Sequence, residues 1–135
     1  MTQLELQDDH CCFACGLDNP EGLRLTWIIE GDTMTTFFIS EAKYQGWKGI
    51  VHGGILATLL DEAMTRLASA VCGGALTAEM TVRYVAPAPI LERLFVKGEI
   101  VKRSRRLVEM KASIHKEDAS GALIAHATGK ALTMR

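Results

Sequence analysis

Hydrophobic positions along this chain follow two different rhythms. From Gly53 onward, Ile55, Leu56, Leu59, Leu60, Ala63, Met64, Leu67, Ala68 and Val71 recur at three- and four-residue spacing, the period of an α-helix. Gly73-Gly74 supplies the stop, because glycine adopts the left-handed backbone that ends helices at little cost. A helix with so broad an apolar surface is largely buried. Elsewhere the alternation is that of strands. Leu23 to Glu30 and Thr33 to Ser40 flank a hairpin signal at Gly31-Asp32,. After the helix come Leu76 to Ala86, Leu91 to Arg103, Leu107 to His115 and Ala122 to Met134. Their Thr, Ile, Val and Phe content suits a half-buried pleated surface.

A single long helix after the second of six strands excludes a doubly wound fold, which needs alternating helices. The pattern predicts an α+β fold: a six-stranded, strongly curved antiparallel sheet wrapped around one central helix. The two longest runs, Leu91 to Arg103 and Ala122 to Met134, suit such curvature. At 135 residues the chain is long enough for one core, so residues 1–135 are read as one domain.

Composition mainly excludes. A net charge of -1 lacks the basic excess of a nucleic-acid binder, and no apolar run approaches the roughly 18–20 residues of a membrane span. Met1 to Asp9 is polar and acidic, unlike a secretory or transit peptide, and a cytoplasmic location is expected. Three of the four cysteines are bunched at Cys11, Cys12 and Cys15, with Cys72 far off, which is no disulfide framework. Cys12-Phe13-Ala14-Cys15 has CxxC spacing with His10 beside it, but no second ligand pair follows. A tight structural turn is expected there, with no metal and no cofactor.

The chemistry concentrates at His52-Gly53-Gly54 and Asp61-Glu62. A helix start presents unpaired N–H groups and a partial positive charge, and glycines there let a carbonyl oxygen approach the backbone. Such an end can polarise a carbonyl while an acid on the helix supplies a base or nucleophile, an acyl-transfer site in outline. Yet Asp61 lies roughly 10–12 Å along the axis from the glycines, at about 1.5 Å per residue. Both must come within about 3 Å of one reacting centre or its water. The helix start of one subunit and Asp61 of another satisfy that, so a symmetric dimer with two composite sites follows. Glu62, about 100° around the helix, cannot share the role of Asp61.

His52-Gly53-Gly54 with Asp61, the run Thr77 to Pro87, the tail Gly121 to Gly129 and the turn Cys12 to Leu23 together resemble the hotdog-fold thioesterases. The likeness is greatest to the phenylacetate-pathway type of acyl-CoA thioesterase, within the 4-hydroxybenzoyl-CoA thioesterase superfamily. The resemblance implies hydrolysis of an acyl-CoA, with Asp61 as general base or nucleophile. It implies that Gly53, with Gly54 nearby, donates the oxyanion N–H from the neighbouring subunit, and that His52 shapes the turn. Relatives often carry Asn or Gln six residues before the histidine; here that position is Gly46, and Gln45 lies one residue off. Thr65 and Thr77 match hydroxyl positions that some relatives use. A homodimer is implied, and dimers of this fold often pair into homotetramers.

Each residue also has a plainer reading. Asp61 can be an inward acid paired with Arg66 or Arg83. His52 can simply hold its loop, Thr65 and Thr77 can be core-edge hydroxyls, and His115 and His126 read as bystanders in strands. The basic cluster Lys102-Arg103-Ser104-Arg105-Arg106 offers Arg103, Arg105 and Arg106 to the phosphates of coenzyme A, or else keeps a sheet end solvated. Two other functions share the fold: a hydroxyacyl-thioester dehydratase and a non-catalytic acyl-CoA-binding protein. The first expects its histidine in a proline-rich loop, which Gly49 to Gly54 is not. Medium-chain or aromatic acyl groups are the expected substrates.

Overall fold

The protein is described by a computed structural model, which covers residues 5–133. In chain order its elements are β1 (Ile28–Glu30), β2 (Thr33–Ile39), a 3-10 turn (Ala42–Tyr44), α1 (Gly53–Cys72), β3 (Ala75–Tyr84), β4 (Arg93–Arg103), β5 (Leu107–Lys116) and β6 (Leu123–Thr133). Among the described residues the six strands form one antiparallel sheet in the order β1-β2-β4-β5-β6-β3. The helix packs on one face of that sheet and touches every strand from β2 to β6. This is the hotdog arrangement. Met134, the end of the last expected strand, lies outside the described residues.

α1 ends as its sequence dictates. Gly73 takes φ +80° and ψ 57°, and its N–H closes on the carbonyl of Ser69 at 3.0 Å. The Ser69 hydroxyl then accepts the N–H of Ala75 at 3.0 Å, which fixes the return into β3. Leu56, Leu59, Leu60, Ala63, Met64, Leu67 and Ala68 are buried against the sheet. Burying each leucine contributes roughly 1.5–3 kcal/mol. Ile55 and Val71, at the ends of the apolar run, are only half-buried.

The helix can approach this closely because the middle of the sheet row beneath it carries only Gly98, Ala112 and Ala127. Met34, Gly98, Ala112, Ala127 and Val82 face one another across five strands. A Cβ on Gly98 would lie 2.0 Å from the carbonyl oxygen of Ala63. On the opposite face, Phe37 stacks at a tilt on Phe95 and Glu99 joins Lys97 and Lys111. His115 and His126, in β5 and β6, are half-buried.

The expected strand from Leu23 to Glu30 shrinks to three residues. Leu23 and Leu25 donate their N–H groups to the carbonyls of Phe13 and Ala14, both at 2.9 Å, and Arg24 between them has φ +54°. The cysteine turn thus competes with β2 for this segment and wins it. The two longest strands are interior to the sheet. Its edges are β1, three residues long, and β3, ten residues long.

Candidate active site

His52 is the N-cap of α1, and its ring does the capping. Nδ1 accepts the N–H of Gly54 at 2.8 Å, while the His52 carbonyl takes the N–H groups of Ile55 and Leu56. That contact requires a lone pair on Nδ1, so the neutral ring carries its proton on Nε2. A Cβ on Gly54 would sit 3.1 Å from the same nitrogen, so the second glycine makes room for the cap. The N–H of Gly54 is therefore engaged by the cap. The Gly53 N–H has no acceptor among the described residues and is the donor that remains.

Tyr84, at the end of β3, donates its hydroxyl to the carbonyl of Gly53 at 2.9 Å. Its ring lies against the bare Cα of that glycine. In front of the helix start, Gly46, Trp47, Ile50, Val51, His52 and Gly53 line a depression of about 520 Å³, a volume in the range of small-molecule sites. Trp47 stands 86% exposed at its rim. Gln45 is also exposed, and its Oε1 accepts the N–H of Gly49 at 3.0 Å, bracing the loop.

Asp61 is half-buried on the side of α1 that faces β3. Thr77 Oγ1 lies 2.6 Å from Asp61 Oδ1, and Thr65 Oγ1 lies 3.2 Å from the same oxygen. The two hydroxyls are also 2.5 Å from each other. Each has one proton, so two of the three contacts can be hydrogen bonds, and the two shortest run from Thr65 to Thr77 to the carboxylate,. Asp61 Oδ2 has no hydrogen-bond partner among the described residues. The alternative of an ion pair fails on geometry: Arg66 reaches Asp8 at 3.9 Å, and neither Arg66 nor Arg83 bridges to Asp61.

Glu62 points elsewhere, toward the cysteine turn, where Cys12 Sγ lies 3.8 Å from its Oε1. The arginines divide. Arg103 is held by Asp32 at 3.2 Å. Arg105 and Arg106 are exposed on the β4–β5 turn, and among the described residues they are held through their carbonyls, which accept the hydroxyl and N–H of Thr133. Because Leu107 pairs with Leu132 and Leu132 with Leu76, that turn lies beside the start of β3, at the end of the sheet away from Tyr84.

Asp61, Thr65 and Thr77 thus meet at one centre, and His52 and Gly53 form a separate centre at the start of the helix. Tyr84 is the member that sequence reasoning does not supply. Thr77 and Tyr84 are an odd number of residues apart, which places them on opposite faces of a regular strand.

A family model described as the thioesterase superfamily matches residues 48–122. The acyl-coenzyme A thioesterase THEM4 of Xenopus laevis is 33% identical over 76 residues, covering 56% of this chain and 34% of that one. The chain spans less than half the length of the curated relatives it matches. Among solved structures, the Escherichia coli PaaI protein from the phenylacetic acid degradation operon superposes with a TM-score of 0.74 at 16% identity, covering 82% of this chain and 83% of its own. A hypothetical thioesterase protein of Streptococcus pneumoniae, solved with coenzyme A, gives 0.73 at 21% identity, with 81% and 84% covered. At these identities the superpositions speak for the fold, while the family match spans more than half of the sequence and includes the helix start, Asp61 and Thr77: the chain belongs to the thioesterase superfamily.

Proposed function

We propose that this chain hydrolyses acyl-CoA thioesters, with Asp61 as the reacting carboxylate and the partner subunit's Gly53 as oxyanion donor. The observation that carries the reading is Asp61 itself. It is a half-buried acid anchored through one oxygen by hydroxyls rather than by a cation, with its second oxygen unengaged. Oδ2 either takes a proton from a water that attacks the thioester carbonyl or attacks that carbonyl directly, giving a mixed anhydride that water then cleaves. In both routes the C–S bond breaks, coenzyme A leaves as thiol and the water oxygen ends in the carboxylic acid. The partner's Gly53 N–H and the helix dipole behind it stabilise the tetrahedral oxyanion.

The second subunit enters through β3. A ten-residue edge strand with one side unpaired is a template for association, and β3 is such an edge. Two copies pairing there would make one continuous sheet and bring each Asp61 toward the other helix start. Arg105 and Arg106 lie at the Asp61 end of β3, where they would meet the phosphates of coenzyme A. The apolar depression beside Trp47 and Ile50 suits a medium-chain or aromatic acyl group. The THEM4 relatives carry the acyl-CoA thioesterase name, which supports this substrate class. The bunched, unpaired thiols accord with a cytoplasmic setting.

The test is Asp61→Asn assayed on short-chain, long-chain and aryl-CoA esters with thiol release as readout. The variant should fold and bind acyl-CoA while turnover falls by about a hundredfold or more. Unchanged hydrolysis would defeat the assignment. Sedimentation should give a dimer or a larger assembly, and a fully active monomer would defeat the shared site.

A further inference from the structure

Three ligand-type side chains converge on the side of α1 that the proposed reaction does not use. Cys12 and Cys15 come from the N-terminal turn and Glu62 from the helix, and one ligand atom from each lies within 4.8 Å of the other two. We propose that Cys12, Cys15 and Glu62 form a zinc site that fastens the N-terminal turn to α1, with a water as fourth ligand.

The geometry is close to what the metal demands. Tetrahedral zinc with Zn–S of about 2.3 Å and Zn–O of about 2.0 Å sets ligand atoms about 3.5–3.8 Å apart. Cys12 Sγ is already 3.8 Å from Glu62 Oε1, so closure needs movement of about an ångström. The turn is built to present sulfur. The N–H of Ala14 points at Cys12 Sγ from 3.4 Å and so fixes where that sulfur lies. A Cβ on Gly16 would fall 2.2 Å from the backbone nitrogen of Cys12, so the loop curls tightly enough to bring both thiols to one side. Leu23 and Leu25 lock it from behind through their bonds to Phe13 and Ala14.

A second observation points to a missing cation. Glu62 Oε2 is buried with no hydrogen-bond partner among the described residues, an arrangement that is costly for a carboxylate unless a cation or donor meets it. Two thiols and a carboxyl crowd together here, and a divalent ion would meet all three. Two sulfur ligands select zinc over magnesium or calcium. Binding would release both thiol protons and any proton held on Glu62. The sequence offers no second cysteine pair; the fold supplies the third ligand from a helix fifty residues away.

The experiment titrates the full chain, kept reduced by a phosphine, with Zn2+ against a chromogenic chelator, and in parallel with Co2+. The expected result is one zinc per chain and a thiolate-to-cobalt charge-transfer band. Cys12→Ser and Cys15→Ser should each remove the band, while Cys11→Ser and Cys72→Ser should leave it. Glu62→Gln, nearly isosteric, should keep the band and weaken zinc at least 10–100-fold, the loss seen even for outer-shell partners. Circular dichroism of each variant keeps a folding defect separate from a lost ligand. A folded wild-type chain that takes up no stoichiometric zinc would overturn the proposal, as would unchanged uptake by a Cys12→Ser/Cys15→Ser double variant.

Discussion

Thr77 and Tyr84 face the helix from the same side of β3 although seven residues separate them. A bulge is the reason. The pairing with β6 shifts between Thr77 and Glu79, so Ala78 is an extra residue in the strand, and one extra residue reverses the alternation of everything beyond it. Thr77 therefore meets Asp61 at one end of the strand while Tyr84 meets Gly53 at the other. Deleting Ala78 should turn Thr77 away from Asp61 while the Tyr84 contact persists. Turnover should then fall with little change in acyl-CoA binding, measured as kcat against KM.

Thr77→Val tests the same contact without moving the backbone. The hydroxyl is replaced by a methyl of similar shape, and Asp61 Oδ1 loses its nearest donor. A hydrogen bond to a charged group contributes about 1.5–3 kcal/mol, so turnover should drop by about tenfold or more. Thr77→Ser, which restores the hydroxyl, should recover most of it. Equal rates in the valine variant and the wild type would show that Asp61 does not depend on this anchor.

Asp61→Asn and Gly53→Pro should complement each other in mixed dimers. Proline fits the first position of a helix, and His52 at φ -59° and ψ 136° already has the backbone that precedes proline comfortably,. The substitution therefore removes the N–H while keeping the helix. Neither variant alone should hydrolyse acyl-CoA. Coassembled, one of the two sites regains an intact helix start and an intact Asp61, and about half of wild-type activity per dimer is expected. Inactive mixed dimers, verified by mass, would rule out a site shared between subunits.

His52→Asn should separate capping from proton transfer. Asparagine is among the best N-caps, whereas alanine at such a position costs about 0.5–2 kcal/mol. If His52 acts through the cap on Gly54, His52→Ala should lower both melting temperature and turnover, and His52→Asn should restore both. A stable but inactive asparagine variant would assign the ring a chemical role instead.

Gly98→Ala probes the seat of the helix. The new Cβ would overlap the Ala63 carbonyl at 2.0 Å, and overpacking of this kind typically costs about 1–3 kcal/mol. Chemical denaturation should report that loss. Asp61 stands two residues before Ala63, so turnover should fall as well.

The helix, its stop and the position of Asp61 are legible in the chain because each rests on local rules: a 3.6-residue period, a glycine past the last turn and a fixed rise per residue. The segment from Leu23 to Trp27 misleads, since Leu23, Leu25 and Trp27 alternate like a strand while their backbone partners are set by the cysteine turn. Ala78 carries no glycine or proline to announce a bulge, so the placement of Tyr84 on the helix start is invisible without the β6 register. The surroundings of Glu62 are hidden for a related reason. Its identity is plain in the helix, but its neighbours arrive from a turn fifty residues earlier.

The strand order has a consequence for synthesis of the chain. β3 follows directly on the helix, yet its sheet neighbour is β6. On the ribosome the roughly 50 residues from the end of β3 to the end of β6 take about 2–10 s to appear at about 5–20 residues per second. For that interval β3, which bears Thr77 and Tyr84, has no sheet neighbour yet synthesised. The strand proposed to join two finished subunits is thus the one that spends longest without a partner in the nascent chain. Two neighbouring ribosomes on one message would hold two such strands within reach of each other before either sheet is complete.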